Sequence, residues 1–421
     1  MTVTSDTLRD RILAVVDRDE AVDLLRRAIQ VPSVTGKEAA LGAWLLGELR
    51  AAGADEVGSF EFAPGRPDVW GVVRGTGSGP SVMFLGHLDT VHGEGWPERW
   101  RGTENESPFA GAVVDGAVYG RGAGDVKAGI ATTLAALRTI RRAGLRPKGD
   151  VVVVGVGDEE SGEPDTGFSA GIKAAVDQIA AGEIPGADFA IYVEPTQLQV
   201  YTAQLGFIIA EVHITGRTSF WSAPARGNDA LRHGHKLLSR LFDLGARVAA
   251  SRHHPLIGRP SLLVTEVAAG GQIAVPDRCV IKLIRKLVPG EDPDAARAEI
   301  ELVLDQASVE DGTAAKIHYT AGRDNPWGGT PAEFPEDHEA ITALRGIIAD
   351  ITGETDVIRG AGYWSELGVL RDRVGIPGVY CAPGDIRNCH TLEERVPIDE
   401  LVAGVQVYSL FLAGYAGVTE G

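Results

Sequence analysis

Seven residues with side chains suited to metal and proton chemistry recur at one kind of position along this 421-residue chain. His87 and Asp89 follow the apolar run "VMFL", and Asp125 sits in "GRGAGDVKAG" just before a helix. Glu159 and Glu160 follow "VVVVGVG", Glu194 follows "FAIYV", and His390 lies in "RNCHTLEE" after the last strand. In an open α/β sheet, ligands bind beyond the carboxyl ends of the strands. Imidazole nitrogens and carboxylate oxygens without thiolates suit Zn²⁺ or a similar divalent ion. Three carboxylates and two imidazoles exceed the needs of one catalytic zinc and fit two ions sharing a bridging carboxylate. Without a cation, carboxylates this close could not all stay ionised. Any one of these residues alone is ordinary as a helix cap, a solvated turn or a satisfied core histidine. Their shared position at strand ends carries the argument.

The elements that must position them alternate. "PSVMFLGHLDTV" reads as a buried strand, "GIATTLAALRTIRRAG" as a helix stopped at Gly144, and "DVVVVGVGDEE" as a strand covered on both faces. "IPGVYCAPG" is a further strand, followed by a helix from about Ile398 to Tyr415. The expected class is α/β with a mostly parallel sheet. Residues 206–321 read differently, as β-α-β-β-α-β, the ferredoxin-like order. The expected organisation is a catalytic domain in two parts, 1–205 and 322–421, with an inserted lid or dimerisation domain at 206–321.

Composition narrows the function classes. A net charge of −18 argues against nucleic acid and anionic membranes as partners. Three cysteines without framework spacing fit a reducing cytoplasm, the expected location. The N-terminal residues read as an amphipathic helix with Leu8, Ile12 and Val15 on one face, and no apolar run is long enough to span a bilayer.

The segments "GHLDTV", "GRGAGDVKAG", "GDEESG", "VEPT" and "CHTLEERV" resemble, in order, the signatures of one metallohydrolase family. It includes acetylornithine deacetylase, succinyl-diaminopimelate desuccinylase, aminoacylase and glutamate carboxypeptidase. The resemblance implies a dinuclear catalytic domain and a homodimer formed through the lid. By motif, His87, Asp125 and Glu194 hold one ion, and Asp125, Glu160 and His390 the other. Asp89 would orient the His87 imidazole. Glu159 would be the general base for the attacking water and then protonate the leaving nitrogen. Zn or Mn is expected, with Co also accepted, at one or two ions per subunit.

One stretch departs from the family. "GRTSFWSAPARG" keeps Gly216, Pro224 and Gly227 in register but has Phe220 where the family's lid histidine, an oxyanion donor, is usual. Losing such a donor typically costs about 2.7–4 kcal/mol. Trp221 adjoins it, Ile273 replaces a usual Asn, and Tyr363 and Trp364 precede Ser365 and Glu366. Arg323 matches a family arginine that grips a substrate carboxylate, and Arg285 is a further candidate for the substrate shell. A complete metal set beside an apolar, aromatic shell implies C–N hydrolysis of a small aromatic carboxylate. Deamination of an aromatic amine is the expected reaction, a case that resembles nitroanthranilate aminohydrolase, a family member acting on an aromatic amine. The alternative is an N-acyl amino acid deacylase or dipeptidase, and the outside option is a non-catalytic metal-binding paralogue.

Overall fold

The computed structural model describes residues 6–160, 166–270, 273–311 and 314–421. The chain divides into two compact units. The first comprises Met1–Thr202, Phe334–Arg359 and Val369–Gly421, the second Ala203–Glu333 and Gly360–Gly368. The second unit thus extends beyond the 206–321 span expected from the sequence.

In chain order the first unit contributes helices α1 (Arg18–Ile29) and α2 (Ala39–Ala52), then strands β1 (Glu56–Ala63), β2 (Arg66–Val73) and β3 (Val82–His87). There follow α3 (Ala128–Arg142), β4 (Val151–Val156), α4 (Ala170–Ala181), β5 (Phe189–Tyr192) and β6 (Val200–Gln204), the last crossing into the second unit. The second unit holds β7 (Gly206–Thr215), α5 (Ala230–Ser251), β8 (Ser261–Ala269), β9 (Arg278–Leu287), α6 (Pro293–Asp311) and β10 (Ala314–Tyr319). The chain returns to the first unit with α7 (Glu339–Thr352), β11 (Gly378–Tyr380) and α8 (Ile398–Phe411).

The first unit's sheet runs β1-β2-β4-β3-β5-β11-β6. Its centre is parallel, β3 pairing with both β4 and β5 and β11 with β5. β3, β4 and β5 are buried along their whole length, as unbroken apolar runs require. The hairpin β1–β2 and its junction with β4 are antiparallel, so the sheet is mixed at its flank. The "PGR" turn between two alternating runs was the signal for that hairpin. Helix α3, rich in Ala, Leu and Ile, is buried on nearly every side. Its start presses on the end of β5, where a Cβ on Gly129 would lie 2.4 Å from the Val193 carbonyl oxygen. α8 ends at Phe411 and continues as a π-helical turn, Leu412–Ala416, filling the span expected as helix.

The second unit has the expected β-α-β-β-α-β order, and its strands lie β8-β9-β7-β10, every pair antiparallel. β7 alternates buried and half-buried residues, the pattern of a sheet with helices on one face. Ala210, Val212, Ile214, Cys279, Ile281 and Leu283 form a core with Leu237, Leu241 and Leu244 of α5 and Ile300 of α6. β8 is an edge strand on which Leu263 and Val267 are exposed, as is Phe242 on α5.

Candidate metal centre

The carboxyl ends of the parallel strands deliver the candidate ligands within the first unit. His87 is the last residue of β3, and Asp158, Glu159 and Glu160 follow β4. Glu194 follows β5 by two residues. Asp125 lies in a short turn ahead of α3, where the Asp125–Val126 peptide is cis. His390 lies ten residues beyond β11 in a left-handed backbone conformation, φ 61°.

The structure brings all five together. His87 Nε2 is 2.8 Å from Asp125 Oδ1 and 3.8 Å from Glu194 Oε1. His390 Nε2 is 2.6 Å from Glu160 Oε1 and 3.1 Å from Asp125 Oδ2. Asp125 therefore faces a different imidazole with each oxygen. Among the described residues, three sets have ligand atoms within 4.8 Å of one another: His87, Asp125 and Glu194; Asp125, Glu160 and His390; and His87, Glu159 and Glu160. His87, Asp125, Glu160 and Glu194 are buried, and the His390 side chain, 51% exposed, stands at the mouth.

The electrostatics fit a cation. Asp125 and Glu160 push His390 up to about 11. Burial works against charge on His87, but its bond to Asp125 outweighs this and holds it well above the usual imidazole value. Burial would raise Asp125, yet the two imidazoles bring it below the usual carboxylate range. Burial raises Glu160 and pushes Asp89 up to about 7. The pocket of carboxylates thus draws positive charge onto both histidines, the role divalent ions fill at a site of this donor chemistry.

Asp89 acts differently from expectation. His87 Nδ1 donates to the Asp89 carbonyl oxygen at 2.9 Å, leaving Nε2 toward the site, while the Asp89 carboxylate is 3.9 Å away. That carboxylate accepts from the amides of Glu159 and Glu160, at 3.2 and 2.8 Å, and from Thr35 Oγ1 at 3.0 Å. The imidazole is oriented by main chain, and the acid fixes the Glu159–Glu160 turn. Asp158, at φ 73°, holds the far side of that turn by accepting from the Gly167, Phe168 and Ala170 amides and pairing with Arg66 at 2.8 Å. Sequence reasoning passed over Arg66, Arg121 and Glu394. The last two lie inside "GRGAGDVKAG" and "CHTLEERV", where other charged residues sit close by and nothing local singles them out.

The candidate substrate residues lie in the second unit. Phe220 and Trp221 are each 62% exposed, their rings 5.7 Å apart. Phe220 bridges to Ala274, which sets Ile273, 66% exposed, beside the pair. Arg323 is half-buried, its amide bonded to the Gly328 carbonyl oxygen at 2.9 Å. Tyr363 is half-buried next to Trp364. Two expectations are corrected. Arg285 is 2% exposed, and its guanidinium donates to Glu291 Oε1 and the Lys286 carbonyl oxygen, both at 2.5 Å, so it braces the unit. Trp364 is buried against Gly329 and edge-on to Phe207 at 6.2 Å, a packing role.

Known proteins share this arrangement of sequence and fold. The chain is 26% identical over 428 residues to the N-formyl-4-amino-5-aminomethyl-2-methylpyrimidine deformylase of Bacillus subtilis, covering 94% of this chain and 95% of that protein. It is 27% identical over 414 residues to the succinyl-diaminopimelate desuccinylase of Gluconacetobacter diazotrophicus, covering 94% and 97%. A di-peptidase of Saccharomyces cerevisiae superposes with a TM-score of 0.75 at 15% identity, covering 99% of each chain. The model of peptidase family M20/M25/M40 matches residues 83–414, a span that opens in β3 and closes beyond α8 and so takes in every candidate ligand. On that match, the chain belongs to peptidase family M20/M25/M40 and is a metal-dependent hydrolase of amide C–N bonds.

Proposed function

We propose that this hydrolase removes an acyl group from a small amine carrying a flat aromatic or heteroaromatic ring. What carries this reading is the buried ligand set beside Glu159 in the first unit; the exposed Phe220, Trp221 and Ile273 of the second unit supply the argument for a ring. A relative whose substrate is named as an N-formylated pyrimidine supports both the amide and the ring.

In this proposal His87, Asp125 and Glu194 hold one divalent ion, and Asp125, Glu160 and His390 a second, Zn or Mn with Co accepted. Such ions, when bound, polarise a carbonyl and lower the pKa of water. Glu159, on a turn pinned by Asp89, takes a proton from the attacking water. The water oxygen bonds to the acyl carbon, the C–N bond breaks, and Glu159 returns the proton to the departing nitrogen. Phe220 and Trp221 stack on the substrate ring, and Arg323 pairs with a substrate carboxylate.

A second reading rests on Phe220 alone. With no histidine to serve an acyl oxyanion, water could instead displace ammonia from an activated ring carbon. Steady-state kinetics on N-formyl and N-acetyl ring-bearing amines, N-acetyl aliphatic amino acids and a nitroanthranilate decides between them. Turnover of the ring-bearing amides at least tenfold above the aliphatic ones supports deacylation, and Phe220→His should then raise kcat on acyl substrates. Ammonia release from the nitroanthranilate, with no gain from Phe220→His, overturns it.

The free edge of β8 and the exposed Leu263, Val267 and Phe242 support a homodimer through the second unit. Sedimentation should show a dimer that Leu263→Lys with Phe242→Glu converts to monomer; a monomeric parent protein refutes this. Among the described residues no helix is long and apolar enough to cross a membrane. We place the reaction in the cytoplasm, with no nucleic-acid or membrane partner.

A further inference from the structure

Three of the candidate ligands sit on or beside loops, and one buried guanidinium joins those loops. Arg121 Nε donates to the His92 carbonyl oxygen at 3.0 Å, on the segment that leaves His87. Its Nη1 donates to Glu394 Oε2 at 2.6 Å, and its Nη2 to the Thr391 carbonyl oxygen at 3.2 Å, one residue from His390. Glu394 turns its other oxygen, Oε1, back onto Arg121's own loop, accepting from the Gly124 and Asp125 amides at 3.1 and 3.2 Å. The two side chains are only 3% and 1% exposed. The backbone at Asp125, whose carboxylate faces both imidazoles, is thereby tied to the loop that carries His390.

A buried ion pair is weak evidence for stability, because apolar residues of similar volume often serve the fold as well. These five hydrogen bonds all end on segments bearing candidate ligands. Arg spans three acceptors with one planar group, which an ammonium cannot do. We infer that Arg121 and Glu394 are positioning residues that hold Asp125 and His390 in register for the ion bound by Asp125, Glu160 and His390. This rests on the proposal that those three residues bind a metal.

The test is a Co²⁺ titration of the metal-free protein, followed by visible absorption and by competition with a chelator, alongside thermal unfolding of the metal-free form. The variants are Arg121→Lys, which keeps the charge but not the fork, and Arg121→Met with Glu394→Met, which removes both members of the buried ion pair together. The expected result is a metal-free melting temperature near that of the parent protein in at least one variant. In that variant the Kd of the weaker Co²⁺ ion rises at least tenfold, its absorption bands change, and kcat falls with little change in KM. Parent-like Co²⁺ affinity and spectrum in a folded variant, or a lowered melting temperature with unchanged Kd, overturns the inference and leaves the metal proposal standing. A parent protein that takes up no Co²⁺ overturns both.

Discussion

The candidate metal centre and the aromatic loop carry chemistry in opposite ways. In the first unit, each candidate ligand is buried or cross-bonded, and partners such as Asp89, Asp158, Arg121 and Glu394 fix the backbone beneath it. In the second unit, Phe220, Trp221 and Ile273 stand out into solvent. Bond-making groups must be held to fractions of an ångström before substrate arrives, so the fold spends its buried hydrogen bonds there. A stacking wall works by area and tolerates looser placement. Under the proposed function, the bond-making groups all belong to one unit, and recognition of the substrate ring falls to an exposed loop of the other.

This contrast can be broken most severely by removing metal. Chelation should abolish turnover, and Mn²⁺ or Zn²⁺ should restore it; full activity in metal-free protein would sink the assignment of the first unit's cluster. Next in size is Glu159→Gln, expected to lower kcat by about 10²–10⁴-fold while metal content, measured by elemental analysis, is unchanged. A loss below tenfold would mean that Glu159 is not the base.

The pH dependence sharpens the electrostatic side. In metal-free protein His390 is pushed up to about 11 and His87 is also raised, so their protonated forms stabilise the fold below the ordinary imidazole value. That contribution is lost as pH rises through the folded values. A ligating imidazole must be neutral, so metal uptake releases these protons and affinity rises by about tenfold per pH unit for each proton displaced. The melting-temperature gap between metal-loaded and metal-free protein should widen from pH 6 to pH 9; a constant gap would contradict the protonation of both imidazoles. The smallest effects belong to the loop. Phe220→Ala or Trp221→Ala should raise KM for ring-bearing substrates about two- to tenfold, leaving metal content and KM for aliphatic amides unchanged. Equal losses on both substrate kinds would remove the loop from ring recognition.

How much of this was legible beforehand follows from which interactions are local. All-apolar runs such as "VVVVGV" report a strand buried on both faces, and His87, Glu160 and Glu194 are readable because they sit at fixed short distances from such runs. The β-α-β-β-α-β order of the second unit was equally open to reading, since each element carries its own period. The edge hairpin β1–β2 was passed over despite its turn. Arg285 and Trp364 misled because a basic or aromatic side chain looks the same in sequence whether it faces a substrate or an interior partner. Glu291, only six residues from Arg285, gave no sign that it would take the guanidinium.

Residue types and their distance from strand ends were enough by themselves to gather the candidate metal ligands at one edge, because a parallel sheet sends every strand's carboxyl end there; the hydrolase reading came from the resemblance of the motifs. The tertiary structure alone decided which groups support that site. Arg121 meets Glu394 across 273 residues. It also placed the Asp89 carbonyl rather than its carboxylate on His87. Hydrogen bonds of this kind depend on where folded segments meet in space, and no period or spacing along the chain encodes that.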